Sequence, residues 1–120
     1  MKKQKVGKKS YLPKRGDIAW INLNPVLGHE QAGRRPVLVV SNRYFNKATG
    51  LAIVVPVTSK KKGYAIEVPI ESTEVTGVAL VSGVRSIDWR ARALSYADAC
   101  PQDALRSIQG MLITFIASEE

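Results

Sequence analysis

The sequence predicts a single small domain that is mainly β and is closed by one C-terminal helix. Three observations predict it. The chain has 120 residues, 45% of them hydrophobic and 23% charged, which suits one compact domain. Short β-branched segments follow one another with no helical period between them, and only after Pro101 does the apolar spacing change to three- and four-residue steps. The sequence therefore favours a small antiparallel barrel or a strongly twisted sheet with a helix packed against it.

Strands are predicted where β-branched and apolar residues run between clusters of turn residues. The segments at 36–41 and 51–57 are almost wholly apolar, which predicts strands that are buried on both faces. Residues rich in Asn, Pro, Ser and Gly separate the segments, at 24–28, 46–50, 59–63 and 72–77. The predicted strands are residues 17–23, 36–41, 51–57, 64–70 and one or two within 78–87.

The C-terminal segment predicts an amphipathic helix that begins just after Pro101, because proline is favoured in a first helical turn. Gly110 lies inside it and suggests either a close approach to a neighbouring element or chance. This helix must pack on the barrel or on a second subunit. Its predicted apolar face comprises Ala104, Leu105, Ile108, Met111, Leu112, Phe115 and Ile116.

Charge is distributed unevenly along the chain. Of the 18 Lys and Arg residues that give a net charge of +8, seven lie in residues 1–15, which contain no acid. We interpret residues 1–13 as a flexible basic leader and residues 14–120 as the folded domain. The leader either adds sequence-independent attraction to phosphates or has no function.

Several classes of protein are disfavoured by composition. No apolar run reaches the roughly 18 residues of a membrane-spanning helix, and no apolar block of about 7–15 residues follows the N-terminal lysines. Cys100 is the one cysteine, so it cannot form a disulfide within the chain, and together with one histidine it cannot make a four-ligand zinc site. We expect a cytoplasmic protein with no metal site and no cofactor.

A glycine-bounded loop at 28–33, followed directly by two arginines, is the densest cluster of unusual side chains. Arg35 is the strongest candidate in it, because Pro36 restricts its backbone to extended conformations and the following strand anchors it. A planar guanidinium held in this way suits a phosphate. Alternatively, Arg35 pairs with Asp17 or Glu30 and only closes the barrel end. The candidate site residues here are His29, Glu30, Gln31, Arg34 and Arg35.

A second candidate segment follows the strand at 51–57. The Thr58 hydroxyl can donate to a phosphate oxygen, and lysines beside it would steer a polyanion, although an ordinary polar strand exit is the alternative. The spacing of a nucleotide-binding P-loop is missing. Tyr44 lies in a basic loop and is a candidate for stacking on a base. Further candidates for binding a polyanion, outside the first loop, are Arg43, Tyr44, Ser59, Lys60, Lys61, Lys62 and Ser82.

Taken in order, these motifs resemble the MazF/PemK family of bacterial toxins, the endoribonuclease halves of toxin–antitoxin pairs. The resemblance covers most of residues 14–120, and the combination of motifs is specific although each fragment alone is weak. It is carried by RGDIAW at 15–20, GHEQAG at 28–33, RRPVLVVS at 34–41, FN at 45–46, VPVTS at 55–59, KGY at 62–64, GVAL at 77–80 and VRSIDWRAR at 84–92.

The resemblance implies an SH3-like small barrel with a C-terminal helix, of the type shared by MazF, PemK and CcdB, and a homodimer. It also implies metal-independent cleavage of single-stranded RNA, in which the 2′-hydroxyl attacks the neighbouring phosphate and leaves a 2′,3′-cyclic phosphate and a 5′-hydroxyl. A cognate MazE-like antitoxin is expected to occupy the RNA groove. The family's catalytic positions correspond to Arg35 and Thr58, with Glu30 and His29 beside them.

The chemistry of these side chains fits that reaction in part. Arg35 suits stabilisation of the charged phosphorane, but a guanidinium of pKa above about 12 is a poor base. Our hypothesis is that His29 or Glu30 takes the proton and that Thr58 hydrogen-bonds the phosphate.

One departure from the family lies ahead of the segment at 85–88. Many members have an acid followed by glutamine there, whereas this chain has Ser82 and Gly83. This puts the cut-site preference in doubt more than the reaction. Arg85 and Trp89 are interpreted mainly as structural or dimer-interface residues, and Trp20 mainly as a core residue.

Two alternatives from other classes remain. A CcdB-like gyrase poison would share the barrel but bind a topoisomerase without catalysis, and Arg35 and Thr58 would then be dispensable. A non-catalytic SH3-like module would hold RNA phosphates in its basic loops and cut nothing.

Overall fold

The computed structural model describes residues 11–22, 34–60, 63 and 66–119. Within this part of the chain, seven strands, two α-helices and one 3-10 turn follow one another. They are β1 (Asp17–Asn22), β2 (Arg34–Val39), α1 (Arg43–Thr49), β3 (Leu51–Thr58), β4 (Glu67–Glu71), β5 (Thr76–Leu80), the 3-10 turn Val81–Gly83, β6 (Arg85–Asp88), β7 (Ser95–Ala99) and α2 (Gln102–Ala117).

The strands form one antiparallel sheet in the order β4-β5-β3-β2-β1-β7, and β6 pairs with the first half of β3. The eight-residue strand β3 changes neighbours along its length, from β6 and β2 to β5 at Val57 and Thr58. This change bends the sheet into a half-barrel. The predicted fold class, mainly β with a C-terminal helix in a single domain, is confirmed.

Apolar side chains fill both faces of the bent sheet, because successive residues of a strand point to opposite sides. Ile18 and Leu38 belong to one cluster, while Ala19 and Val37 belong to the other. Helix α2 covers the first cluster with Leu105, which is buried, and Ile108, which is fully buried. The long apolar runs predicted for β2 and β3 are therefore explained by burial on both faces.

The last turns of α2 differ from the prediction. Phe115 and Ile116, expected on the packed face, are exposed in the described chain. Gly110 does not mark a close approach, since a methyl group built there would meet nothing within 4 Å. None of the described helices combines the length and apolar character needed to cross a membrane.

Helix α1 lies where the sequence predicted only a turn. The Asn42 side chain accepts a hydrogen bond from the backbone N–H of Phe45 at 2.9 Å, and Gly50 ends the helix with φ 76°. Asn46 is fully buried in this helix, where its amide donates to the carbonyl of Pro13 and accepts from the Ser41 hydroxyl. These bonds satisfy a buried amide that would otherwise destabilise the core.

Two further differences concern β7 and the leader. Strand β7 has no apolar run and was not predicted, yet it pairs with β1 along most of its length. Packing begins earlier than the predicted boundary at 14: Pro13 is fully buried, and the Tyr11 hydroxyl donates to Asp17 at 2.9 Å. The rest of the predicted leader, residues 1–10, lies outside the described residues.

Candidate active site

A groove opens where β2 and β3 part. They are paired from Val39 to Val37, the last pair being Val37 with Pro56. The next residue of β2, Pro36, has no N–H with which to continue the hydrogen-bond ladder. From there β2 remains paired with β1, whereas β3 pairs with β5. The parting strands leave a cavity of about 650 Å³.

Arg35 and Thr58 lie on the same face of this groove. Each is two residues beyond the last β2–β3 pair, so their side chains point to the same side of the sheet as those of Val37 and Pro56. Both line the cavity, and the Arg35 side chain is exposed to it. Arg35 forms no ion pair with any carboxylate of the described residues, and Asp17, one predicted partner, instead accepts from Tyr11 and the Lys14 N–H.

Further cations surround this pair. Arg85 is opposite Val54 in the β3–β6 ladder, which places it on the same face as Arg35 and Thr58. On the other face of β2, the Arg34 guanidinium lies 4.8 Å from the centre of the Trp20 ring. Lys60 adds a fourth cation to the lining. The described groove thus presents four positive side chains.

The backbone around Thr58 is fixed by close packing. The Thr58 hydroxyl oxygen accepts from the N–H of Lys60 at 3.1 Å, which leaves its own proton free to donate. Strand β5 approaches so closely that a methyl group on Gly77 would lie 2.4 Å from the Thr58 carbonyl oxygen. Glycine at 77 is therefore required for this geometry.

Comparison with known proteins places the chain in a family. The profile described as "PemK-like, MazF-like toxin of type II toxin-antitoxin system" matches residues 14–116. The chain belongs to the PemK/MazF toxin family. The resemblance carried by the motifs is thereby confirmed, and the matched range includes every groove residue named above.

Several PemK/MazF relatives are similar over most of their length. The endoribonuclease toxin MazF of Escherichia coli K12 is 39% identical over 106 residues, which cover 88% of this chain and 96% of that protein. The endoribonuclease PemK of Escherichia coli is 36% identical over 107 residues, which cover 85% and 80%.

Solved PemK/MazF structures share the fold. A crystal structure of MazF from Deinococcus radiodurans has a TM-score of 0.77 and 42% identity over 89% of this chain and 98% of its own. A MazE–MazF crystal structure from the same organism has a TM-score of 0.79 and 36% identity over 92% and 100%. The expected MazF-type barrel is confirmed by these likenesses.

A carboxylate that the sequence analysis did not single out also lines the PemK/MazF groove. Glu74 lies in the bend between β4 and β5, and its backbone N–H donates to the Asp98 carboxylate of β7 at 2.9 Å. Hydrogen bonds from the N–H groups of Glu74 and Ala99 hold the pKa of Asp98 below its ordinary value. Asp98 therefore ties the bend that carries Glu74 to the strand at the opposite edge of the sheet.

The departure at 82–83 has a steric explanation. Ser82 is exposed on the 3-10 turn and is not among the residues that line the groove. A methyl group on Gly83 would lie 2.9 Å from Cγ of Pro56, which does line it. The small residue lets the turn lie against the groove wall, so a side chain at 83 would have to move the Pro56 ring or the turn.

The predicted site residues are only partly brought together. Arg34, Arg35, Ser59, Lys60 and Thr58 line the groove, as expected for one site. Arg43 does not: α1 carries it to a different cavity, and Tyr44, 81% exposed on that helix, is also not part of the groove lining. His29, Glu30, Gln31, Lys61 and Lys62 lie outside the described residues.

Two groove residues were undervalued from the sequence. Arg85 was interpreted as mainly structural, yet it lies two residues before the buried Ile87 in β6 and therefore shares its face, which is the signal that places it beside the groove. Trp20 is half-buried and serves both the core and the groove wall, while Trp89 is buried as interpreted and donates from its indole N–H to the carbonyl of Asn46 at 2.9 Å.

Proposed function

We propose that this chain is an endoribonuclease toxin that cuts single-stranded RNA at short sequence motifs. One observation carries the proposal: Arg35 and Thr58 share one face of an open groove that is lined by four cations. The similarity to proteins named endoribonuclease MazF and PemK supports RNA as the substrate.

The proposed reaction is an intramolecular transesterification. The RNA 2′-oxygen attacks the adjacent phosphorus, and the bond from phosphorus to the 5′-oxygen breaks. A base takes the 2′-hydroxyl proton, and an acid delivers a proton to the departing oxygen. The products are a 2′,3′-cyclic phosphate and a 5′-hydroxyl, and the reaction uses no metal and no cofactor.

Arg35 stabilises the negative charge that grows on the phosphorane. Its exposed guanidinium offers two parallel N–H donors to the non-bridging oxygens, and Pro36 fixes its strand so that little reorganisation is needed. Thr58, on the same face of the groove, donates its hydroxyl proton to the phosphate.

The proton acceptor is a different residue. His29 and Glu30 lie between β1 and β2 in the sequence, and Glu30 precedes the groove residue Arg34 by four residues. Glu74 is the carboxylate that the described groove itself contains. We propose His29 or Glu30 as the base, and Glu74 is the alternative candidate for that role.

The remaining cations hold the RNA chain on either side of the cut. Arg34 and Arg85 lie on opposite faces of the groove wall, where they contact flanking phosphates. Gln31, Ser59, Lys60, Lys61 and Lys62 are proposed to complete this contact.

We also propose that a MazE-like antitoxin occupies this groove and silences the enzyme, as suits a family whose Deinococcus radiodurans member crystallises as a MazE–MazF complex. The active form is proposed to be a cytoplasmic homodimer.

The test is cleavage of a mixed single-stranded RNA by the purified protein in EDTA. Discrete fragments with cyclic-phosphate ends are expected. Arg35→Gln is expected to slow cleavage by roughly 10²–10³-fold, the usual cost of removing one donor to a developing oxyanion. The matched control is Arg106→Gln, which removes an exposed guanidinium on α2. It lies 3.6 Å from Asp103 and is not among the residues that line the groove.

Other outcomes would contradict the proposal. RNA that is bound but never cut favours the non-catalytic module, and growth arrest with intact RNA favours the gyrase poison. Equal rates for the Arg35→Gln and Arg106→Gln variants would remove Arg35 from the chemistry.

A further inference from the structure

A second cavity of about 780 Å³ lies at the other end of β1 from the groove. From β1, Trp20 and Ile21 line the groove. The second cavity is lined by Asp17, the first residue of the strand, and by the turn that precedes it. At about 3.4 Å a residue, the two ends of β1 are roughly 17 Å apart. We call this cavity the distal pocket. Its lining also includes Tyr11, Lys14, Arg15, Arg43 and Tyr96.

Positive charge dominates the distal pocket. Lys14, Arg15 and Arg43 are all exposed, and none of them forms an ion pair with a carboxylate of the described residues. Asp17 is the one acid in the lining, and it is buried and already accepts from the Tyr11 hydroxyl and the Lys14 N–H. Three solvated cations therefore face the cavity beside one buried carboxylate, whose Oδ2 already accepts two hydrogen bonds.

Two aromatic rings accompany these cations. Tyr11 and Tyr96 are in edge-to-face contact with ring centres 6.3 Å apart. Burial and the charge of Asp17 raise the pKa of Tyr11, so its hydroxyl stays protonated and holds the ring in place. Tyr96 is 53% exposed and offers a free ring face. Cations that track a backbone, with an aromatic face between them, are the usual means of binding a single-stranded nucleic acid.

We propose that the distal pocket is a second binding site for the backbone of single-stranded RNA, separate from the groove where the RNA is cut. It holds substrate phosphates away from the scissile bond and lets one base stack on Tyr96. This inference rests on the proposed function in that the ligand is the substrate RNA. At about 3.4 Å a nucleotide, a stacked strand needs roughly five nucleotides to run from one site to the other.

The test compares two double variants on a long and a short RNA. Arg15→Gln with Arg43→Gln removes two cations from the distal pocket. Arg90→Gln with Arg106→Gln is the matched control, since it removes the same charge from two exposed arginines outside both cavities. The long RNA has about 25 nucleotides centred on the cut site. The short RNA has about four with the cut site in its middle, so only about two nucleotides extend from the groove towards the distal pocket and the strand cannot reach it.

Salt dependence gives the expected magnitude. Each phosphate neutralised on a single strand contributes about 0.7 to the slope of log affinity against log salt, so losing two contacts lowers that slope by about 1.4. The Kd for the long RNA should then rise about tenfold at roughly 0.2 M salt, with kcat on the short RNA unchanged. Binding is measured by fluorescence anisotropy with a 2′-deoxy nucleotide at the cut site, which prevents cleavage.

The results separate this inference from the proposed function. If the long RNA binds both double variants with the same Kd and salt slope, the distal pocket does not bind RNA. The same conclusion follows if the Arg15→Gln, Arg43→Gln double variant keeps its affinity for the long RNA and loses affinity only for an acidic peptide, tested as an alternative ligand. Binding itself needs no cleavage. If the wild-type protein proves unable to cut and no cut site can be mapped, the Kd and salt slope of an RNA of mixed sequence and about 25 nucleotides still support or overturn the distal site.

Discussion

Gly77→Ala tests whether the β3–β5 contact positions the reaction. A methyl group at 77 would lie 2.4 Å from the Thr58 carbonyl oxygen and 2.9 Å from its carbonyl carbon. A carbon needs about 3.3 Å from an oxygen, so the two strands must separate by close to 1 Å. Such overpacking typically costs about 1–3 kcal/mol of unfolding free energy. A displacement of about 1 Å can slow catalysis roughly 10²-fold, and we expect kcat to fall by that order.

The assay is single-turnover cleavage, at a temperature well below the melting point of each variant, so that the folded fraction is complete. Gly110→Ala is the control, since nothing lies within 4 Å of the added methyl group. It should stabilise α2 by about 0.5–1 kcal/mol and leave the rate unchanged. Combining Gly77→Ala with Thr58→Val should slow cleavage no more than Thr58→Val alone, because both changes act on one group. A Gly77→Ala rate equal to the wild-type rate would contradict this prediction. So would a double variant whose loss of rate equals the combined losses of the two single variants.

Three further predictions concern charged and titratable groups. Glu74→Gln removes the carboxylate from the RNA-binding groove. A carboxylate and an RNA phosphate roughly 6 Å apart in water repel each other by about 0.7 kcal/mol, so the variant should lower KM for RNA about threefold. An unchanged KM in steady-state kinetics would contradict this. Folding lowers the pKa of the Asp98 carboxyl, so the stability that this group contributes is present above its unfolded pKa of about 3.9 and is lost as the pH falls through the lower folded pKa. The Asp98→Asn variant should therefore show a smaller fall of Tm with decreasing pH than the wild type. An identical fall of Tm would show that the hydrogen bonds of Asp98 do not stabilise the fold. Burial raises the pKa of Cys100 to about 11, so alkylation by iodoacetamide at pH 7 should be slow in the native protein and fast in urea; equal rates would contradict that burial.

The sequence predicted those parts of the fold that depend on continuous apolar runs. Strands β2 and β3 were found because their β-branched residues are buried on both faces, and α2 because Leu105 and Ile108 recur at helical spacing. Helix α1 has two turns, and its one buried side chain is the polar Asn46, so it carries no apolar period. Strand β7 forms by pairing with β1, and its exposed residues give no alternation to detect.

The same limit applies to the groove. Arg35 and Thr58 were found because each follows or precedes a strong strand signal in a short motif. Glu74 could not be found, because its place beside Thr58 depends on how β5 pairs with β3 and on the Asp98 bond that fixes the bend. Arg43 was assigned to the groove on charge alone, and helix α1 carries it to the distal pocket instead.

The central claim is that Arg35 stabilises the charge on a phosphodiester bound opposite Thr58. It is tested most directly by the single-turnover rate of RNA cleavage in EDTA for wild-type protein and for Arg35→Gln, with the fragment ends identified by mass spectrometry. We expect cyclic-phosphate ends from the wild-type protein, and for the variant an unchanged Tm and a rate lower by at least roughly 10²-fold. Equal rates, or fragments that end in a simple 5′-phosphate, would contradict it.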